Sequence, residues 1–138
     1  MALTGAVGDM IAPGLDVFEA LAAEAFAALP GPVRAACDGV LIRIEDFADD
    51  ATLDEVEIAD AFELTGLYRG VSLIEKSSGD TAPMPDEVWL YRRPILDEWA
   101  ARGDVTLGAL IAHVLVHEIA HHFGWSDDAI AAVDDWRL

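Results

Sequence analysis

The stretch that decides the fold is VTLGALIAHVLVHEIAHHFGWSDD, residues 105–128. Apolar side chains surround almost the whole of a helix drawn through residues 105–123, which is typical of a helix buried in a protein core. Asp104 or Thr106 can cap its start, and Gly124 can end it in a left-handed conformation. The sequence therefore predicts one long buried helix against which the rest of the chain packs.

Within this helix, residues 117–121 read HEIAH. A step of four residues returns to nearly the same face of a helix, so His117 and His121 can direct their imidazoles at one ion. Glu118 lies about 100° further round the axis, where it can reach a water bound to that ion and act as a general base. Polar side chains in so apolar a helix are costly unless something binds them. The pattern therefore favours a metal site over a chance match.

A catalytic zinc site takes three protein ligands and leaves a fourth position for water. After His121 the chain continues HFGWSDD, and Gly124 allows it to leave the helix and turn back toward the ion. Asp127 is the first choice for the third ligand, with Asp128 as the alternative. Because two imidazoles and a carboxylate suit several divalent ions, the residues alone do not prove that the one expected ion is zinc.

A hydrolase of peptides also needs a donor for the developing oxyanion, and the candidates are Tyr68, Tyr91 and His113. Both tyrosines fit strand patterns well enough to be ordinary packing residues, and a hydrogen-bonded core histidine is the better interpretation of His113. His122 points about 100° away from His121, so we interpret it as structural and not as a ligand. The sequence does not choose among the three candidate donors.

The remaining pattern predicts a small sheet and further helices. Strands are expected at residues 40–47, 66–75 and 87–92, the last two forming a hairpin with a long loop. Helices are expected at residues 15–29, from Pro94 to Gly103, and from a cap at Ser126 through residues 127–136, while the acidic stretch 48–62 could be loop or short helix. The predicted fold class is α+β, a small mixed sheet packed on the helix that carries HEIAH, with the helix at residues 15–29 on the same side.

Composition limits the classes of function. The chain has 138 residues, a length that suits a single domain over residues 1–138, and 54% of them are hydrophobic, which excludes a disordered chain. A net charge of -18 repels nucleic acid and anionic lipid. The lone Cys37 has no second thiol to pair with, and acidic residues interrupt each apolar run near the N-terminus. We therefore expect a cytoplasmic protein with no membrane span and no nucleic-acid partner.

Three segments resemble one family, the short bacterial zincin-like metallopeptidases: GLYRGVSL at 66–73, MPDEVWLYRRPIL at 84–96 and VLVHEIAHHFGWSDD at 114–128. The resemblance implies His117, His121 and Asp127 as zinc ligands and Glu118 as the catalytic base. It also implies an edge strand beside the metal that holds an extended peptide, either the 86–92 strand or its partner. One departure from metzincins is that Met84 precedes the metal helix, so no methionine turn can follow it.

The expected function is hydrolysis of peptide bonds by a zinc-activated water, with Glu118 as general base. One alternative is a non-catalytic metal-binding protein or interaction module, in which a structural zinc ties the end of the chain to the core. Another is hydrolysis of an amide that is not a peptide. The sequence does not identify a substrate.

Overall fold

The computed structural model describes residues 12–70 and 86–124. The elements in chain order are α1 (Leu15–Ala27), α2 (Gly31–Ala36), β1 (Leu41–Glu45), α3 (Asp50–Glu55), a 3₁₀ turn (Ala61–Glu63), β2 (Gly66–Arg69), β3 (Glu87–Tyr91), α4 (Arg92–Arg102) and α5 (Leu107–His122). Helices and a small mixed sheet together make the predicted α+β fold, which is confirmed.

The described strands form one sheet in the order β1-β3-β2. β1 runs parallel to β3, and β2 runs antiparallel to it, as the predicted hairpin requires. Because β3 has a neighbour on both sides, it is the partner β2, and not the 86–92 strand, that lies at an edge, the second of the two predicted alternatives. Among the described strands the edges are β1 and β2, and β2 is the one that contacts α5.

Side chains alternate between the two faces of this sheet. Val88 and Leu90 of β3 are fully buried on the face that packs against α5, which we call the inner face. Helix α1 packs on α5 and on β1, and its Phe18 joins the same core, so the expected placement of the first helix is confirmed. Glu87, Trp89 and Tyr91 alternate with the core residues and therefore belong to the opposite, outer face.

The bounds of α5 follow from local chemistry. The Thr106 hydroxyl accepts a hydrogen bond from the Ala109 N–H at 3.0 Å, so Thr106, and not Asp104, is the cap. Gly103 ends α4 at φ 75°, and Gly124 follows α5 at φ 87°, both left-handed as glycine allows. In the described parts of the chain, no helix has the length and apolar character needed to cross a bilayer.

Two local predictions were incomplete. Helix α2 was not predicted, because Pro30, Gly31 and Pro32 indicate only the end of a helix. In the structure Pro32 lies in the first turn of this short helix, where no backbone N–H donor is needed. Helix α4 begins at Arg92, two residues before Pro94. Residues 71–75 of the second expected strand and the last expected helix, 127–136, lie outside the described residues.

Candidate metal centre

His117 and His121 lie side by side on the last two turns of α5. Their ring centres are 5.4 Å apart with an interplanar angle of 71°, and both residues are half-buried. Two imidazoles bound to one tetrahedral zinc through bonds of about 2.1 Å have ring centres roughly 5 Å apart. The two rings are therefore compatible with a shared ion at their present spacing.

Glu118 is buried where α5 crosses β2, with 9% of its surface exposed. The close approach depends on Gly66, the first residue of β2. A Cβ added there would lie 2.7 Å from Val114 Cγ1 and 3.2 Å from Glu118 Cγ. Any larger residue at position 66 would push α5 away from the strand. The absence of a side chain at Gly66 thus lets Glu118 lie against the edge strand, and sequence reasoning had not singled out this glycine.

His122 has an environment unlike that of the two histidines before it in the motif. It is 2% exposed, its Nε2 lies 3.0 Å from the Ala36 carbonyl oxygen, and its Nδ1 lies 2.9 Å from Asp86 Oδ2. Because a carbonyl oxygen only accepts, Nε2 carries the proton of that hydrogen bond. Both nitrogens face protein partners, so His122 is structural, as the sequence indicated.

Tyr68 belongs to the same buried network. Its hydroxyl donates to Asp86 Oδ2 at 3.0 Å and lies 3.3 Å from His122 Nδ1. Asp86 is only 6% exposed, so its carboxylate has hydrogen bonds to these protein groups in place of hydrogen bonds to water. The Tyr68 hydroxyl is thus committed to holding Asp86, which argues against it as the oxyanion donor. Asp86 was not identified from the sequence, because its partners are distant along the chain.

The other two candidate donors lie in different places. Tyr91 belongs to the outer face of β3 and is 2% exposed. Burial raises the pKa of its hydroxyl to about 12. His113 is half-buried on α5, four residues before His117 and so on a neighbouring part of the same helix face. Of the three, His113 is the candidate that lies on the helix of the motif.

The expected third ligands, Asp127 and Asp128, lie outside the described residues, and so do Trp125 and Ser126. Within residues 12–70 and 86–124, no group of three or more His, Cys, Asp or Glu side chains is arranged to hold a metal ion. The described part of the chain thus offers a pair of imidazoles with a neighbouring carboxylate. A third protein ligand would have to come from the remaining residues.

A buried helix with HExxH, packed on a small mixed sheet, is the arrangement of the zincin class. Residues 37–137, about three quarters of the chain, match the family described as zincin-like metallopeptidase, and the chain belongs to this family. The matched range begins just before β1 and includes the sheet and all of α5. No curated protein matches the chain.

Proposed function

We propose that the protein is a zinc-dependent peptidase in which His117, His121 and Asp127 bind one zinc ion and Glu118 is the general base. The observation that carries the proposal is the pair of rings, 5.4 Å apart, with a buried carboxylate on the adjoining residue of the same rigid helix. Membership of a metallopeptidase family supports the same reaction class. When bound, zinc would polarise the scissile carbonyl and acidify the attacking water.

The chain's own residues account for the proton transfers and for substrate binding. Glu118 takes a proton from the attacking water and passes it to the nitrogen of the leaving amine. Its burial against Gly66 limits its rotamers and so holds the carboxylate near the site. An extended peptide can add to the edge of β2, the described edge strand that contacts α5.

The rival function is a structural zinc site without turnover, in which Glu118 only supports the ligands. The substitution Glu118→Gln separates the two because it keeps the size of the side chain and removes the base. We expect zinc content and thermal stability close to wild type and a fall in kcat of about 10³-fold on a peptide library. Zinc is measured by elemental analysis, and cleavage by mass spectrometry.

Glu63→Gln is the matched control, since Glu63 is exposed on the 3₁₀ turn and its loss changes the net charge by the same amount. It should cleave the library like wild type. A Glu118→Gln variant with full turnover would contradict the role of Glu118 as the base. A wild-type protein that holds zinc but cleaves no peptide would contradict the peptidase proposal, in favour of a structural site or of an amide substrate that is not a peptide.

The third ligand is tested by comparing Asp127→Ala with Asp128→Ala. Loss of a carboxylate bound to the ion leaves zinc with two protein ligands, so we expect Asp127→Ala to weaken zinc affinity by at least about 100-fold and Asp128→Ala by much less. Competition with a fluorescent chelator measures both affinities. The reverse order would transfer the ligand role to Asp128.

A further inference from the structure

A cavity of about 400 Å³ lies on the outer face of the sheet, against the strand face opposite to the one that packs on α5. Its polar and aromatic walls include Glu45, Asp49, Arg69, Glu87, Trp89 and Tyr91. The volume lies within the range of small-molecule sites. His117, His121 and Glu118 are not among the described residues that line it.

The walls of this cavity are negatively charged. Glu45, Asp49 and Glu87 contribute three carboxylates, of which Glu87 is paired with Arg43 at 2.6 Å, and Arg69 contributes one guanidinium. Arg69 already donates to the Glu55 carboxylate at 3.0 Å, so its charge is largely balanced outside the wall. The strand register places Glu45 directly beside Tyr91. The excess of carboxylates therefore favours a cationic occupant.

Tyr91 provides an observation independent of the charges. Its side chain is 2% exposed, yet among the described residues its hydroxyl has no hydrogen-bond partner. A buried hydroxyl normally has a partner, so an unpaired one in a cavity wall indicates a position for a ligand. Burial is the main cause that raises its pKa; the Asp49, Glu45 and Glu118 carboxylates raise it further, whereas the Arg69 guanidinium lowers it. The hydroxyl is therefore close to the charged part of the cavity.

The geometry favours an organic cation over a metal ion. The carboxylates of the wall do not form a group that could hold a metal within the described residues. Nearby, the Arg43 guanidinium lies 5.7 Å from the centre of the Trp89 ring and donates to Glu87 at 2.6 Å. An aromatic face with a carboxylate at its edge thus already accommodates a guanidinium on this sheet.

We propose that the cavity binds a small organic cation with a guanidinium or amidinium group, which pairs with Glu45 and donates to the Tyr91 hydroxyl. A planar cation of this type offers several N–H donors in fixed directions and an apolar face. Its described lining contains neither His117, His121 nor Glu118, so binding of the cation can be measured independently of peptidase activity.

The test is a calorimetric titration of the full chain with N-acetyl-L-arginine amide and with the corresponding citrulline compound, its neutral isostere. We expect saturable binding of the arginine probe and at least about tenfold weaker binding of the citrulline probe. Glu45→Gln should weaken arginine binding by about fivefold, and Tyr91→Phe, which removes only the hydroxyl, by about threefold. Thermal unfolding of each variant verifies that it is folded.

Asp54→Asn is the matched control, because Asp54 is exposed on α3, does not line the cavity and carries the same charge as Glu45. It should change the arginine affinity by less than about twofold. Equal binding of the two probes, or equal weakening by Asp54→Asn and Glu45→Gln, would overturn the proposal and indicate diffuse attraction to an acidic protein. Failure to saturate with the arginine probe at about 20 mM would overturn it as well.

Discussion

His121 and His122 are neighbours on the last turn of α5, yet their surroundings differ completely. His121 is half-buried with its ring 5.4 Å from that of His117, whereas His122 is 2% exposed and has both nitrogens against protein atoms. One residue of helix turns the side chain by about 100°, which is enough to change a half-buried position into a buried one. The comparison teaches that two adjacent histidines can differ in what surrounds them: His122 is held by protein atoms, whereas His121 is the one that we propose binds zinc.

His122 connects segments that are far apart in the chain. Through the Ala36 carbonyl, His122 ties α5 to the end of α2, and through Asp86 it ties α5 to the residue before β3. Tyr68 adds a contact from β2 to the same carboxylate. The end of the helix that carries the proposed ligands is therefore fixed on three sides by a polar network.

The largest effect in a test of this difference is expected for His122→Ala. The substitution leaves the buried Asp86 carboxylate without its imidazole partner and opens a space in the core, so we expect the free energy of unfolding to fall by about 3 kcal/mol. Urea denaturation in the presence of a chelator measures this loss without a contribution from bound metal. Any folded fraction should still bind zinc, because His122 is not a ligand.

The matched substitution is His121→Ala, one residue earlier. In chelator it should cost less than about 1 kcal/mol, since the side chain is half-buried, but it should remove zinc binding. If His122→Ala loses zinc while retaining its stability, or His121→Ala unfolds the protein in chelator, the two roles are assigned the wrong way round.

A smaller effect is expected for Tyr68→Phe, which deletes one hydroxyl and keeps the ring. The loss of its hydrogen bond to Asp86 should lower the free energy of unfolding by about 1 kcal/mol. Turnover should stay within about twofold of wild type, since the hydroxyl is committed to the network. A fall in kcat of about 10²-fold at unchanged stability would instead identify Tyr68 as the oxyanion donor.

The sequence alone predicts those structural features that depend on residues close together in the chain. The period of the apolar side chains identified α5, and Thr106, Gly103 and Gly124 were recognisable as helix ends because caps act within one turn. The ring pair of His117 and His121 follows from the same helical repeat. The short helix α2 was missed because proline at a helix start resembles proline at a helix stop.

The sequence alone does not predict contacts between residues that are far apart in the chain. Asp86 meets Tyr68 and His122, which are 18 and 36 positions away, and nothing in the local pattern pairs them. The sequence indicates only that Gly66 begins a strand, because the need for a glycine there comes from α5, which crosses it. The outer cavity collects side chains from β1, β2, β3 and the start of α3, so it exists only once the sheet has its register.

The position of Cys37 has a practical consequence. This residue is the only cysteine of the chain, it is 1% exposed within the core, and burial raises the pKa of its thiol. Because the thiolate is the reactive form, the native protein resists alkylating reagents at this position. The rate of covalent labelling of this thiol therefore measures how often the core opens. Cys37 directly follows Ala36, whose carbonyl holds the final turn of α5. Unfolding can thus be followed by alkylation of the native Cys37, without introducing a cysteine by mutation.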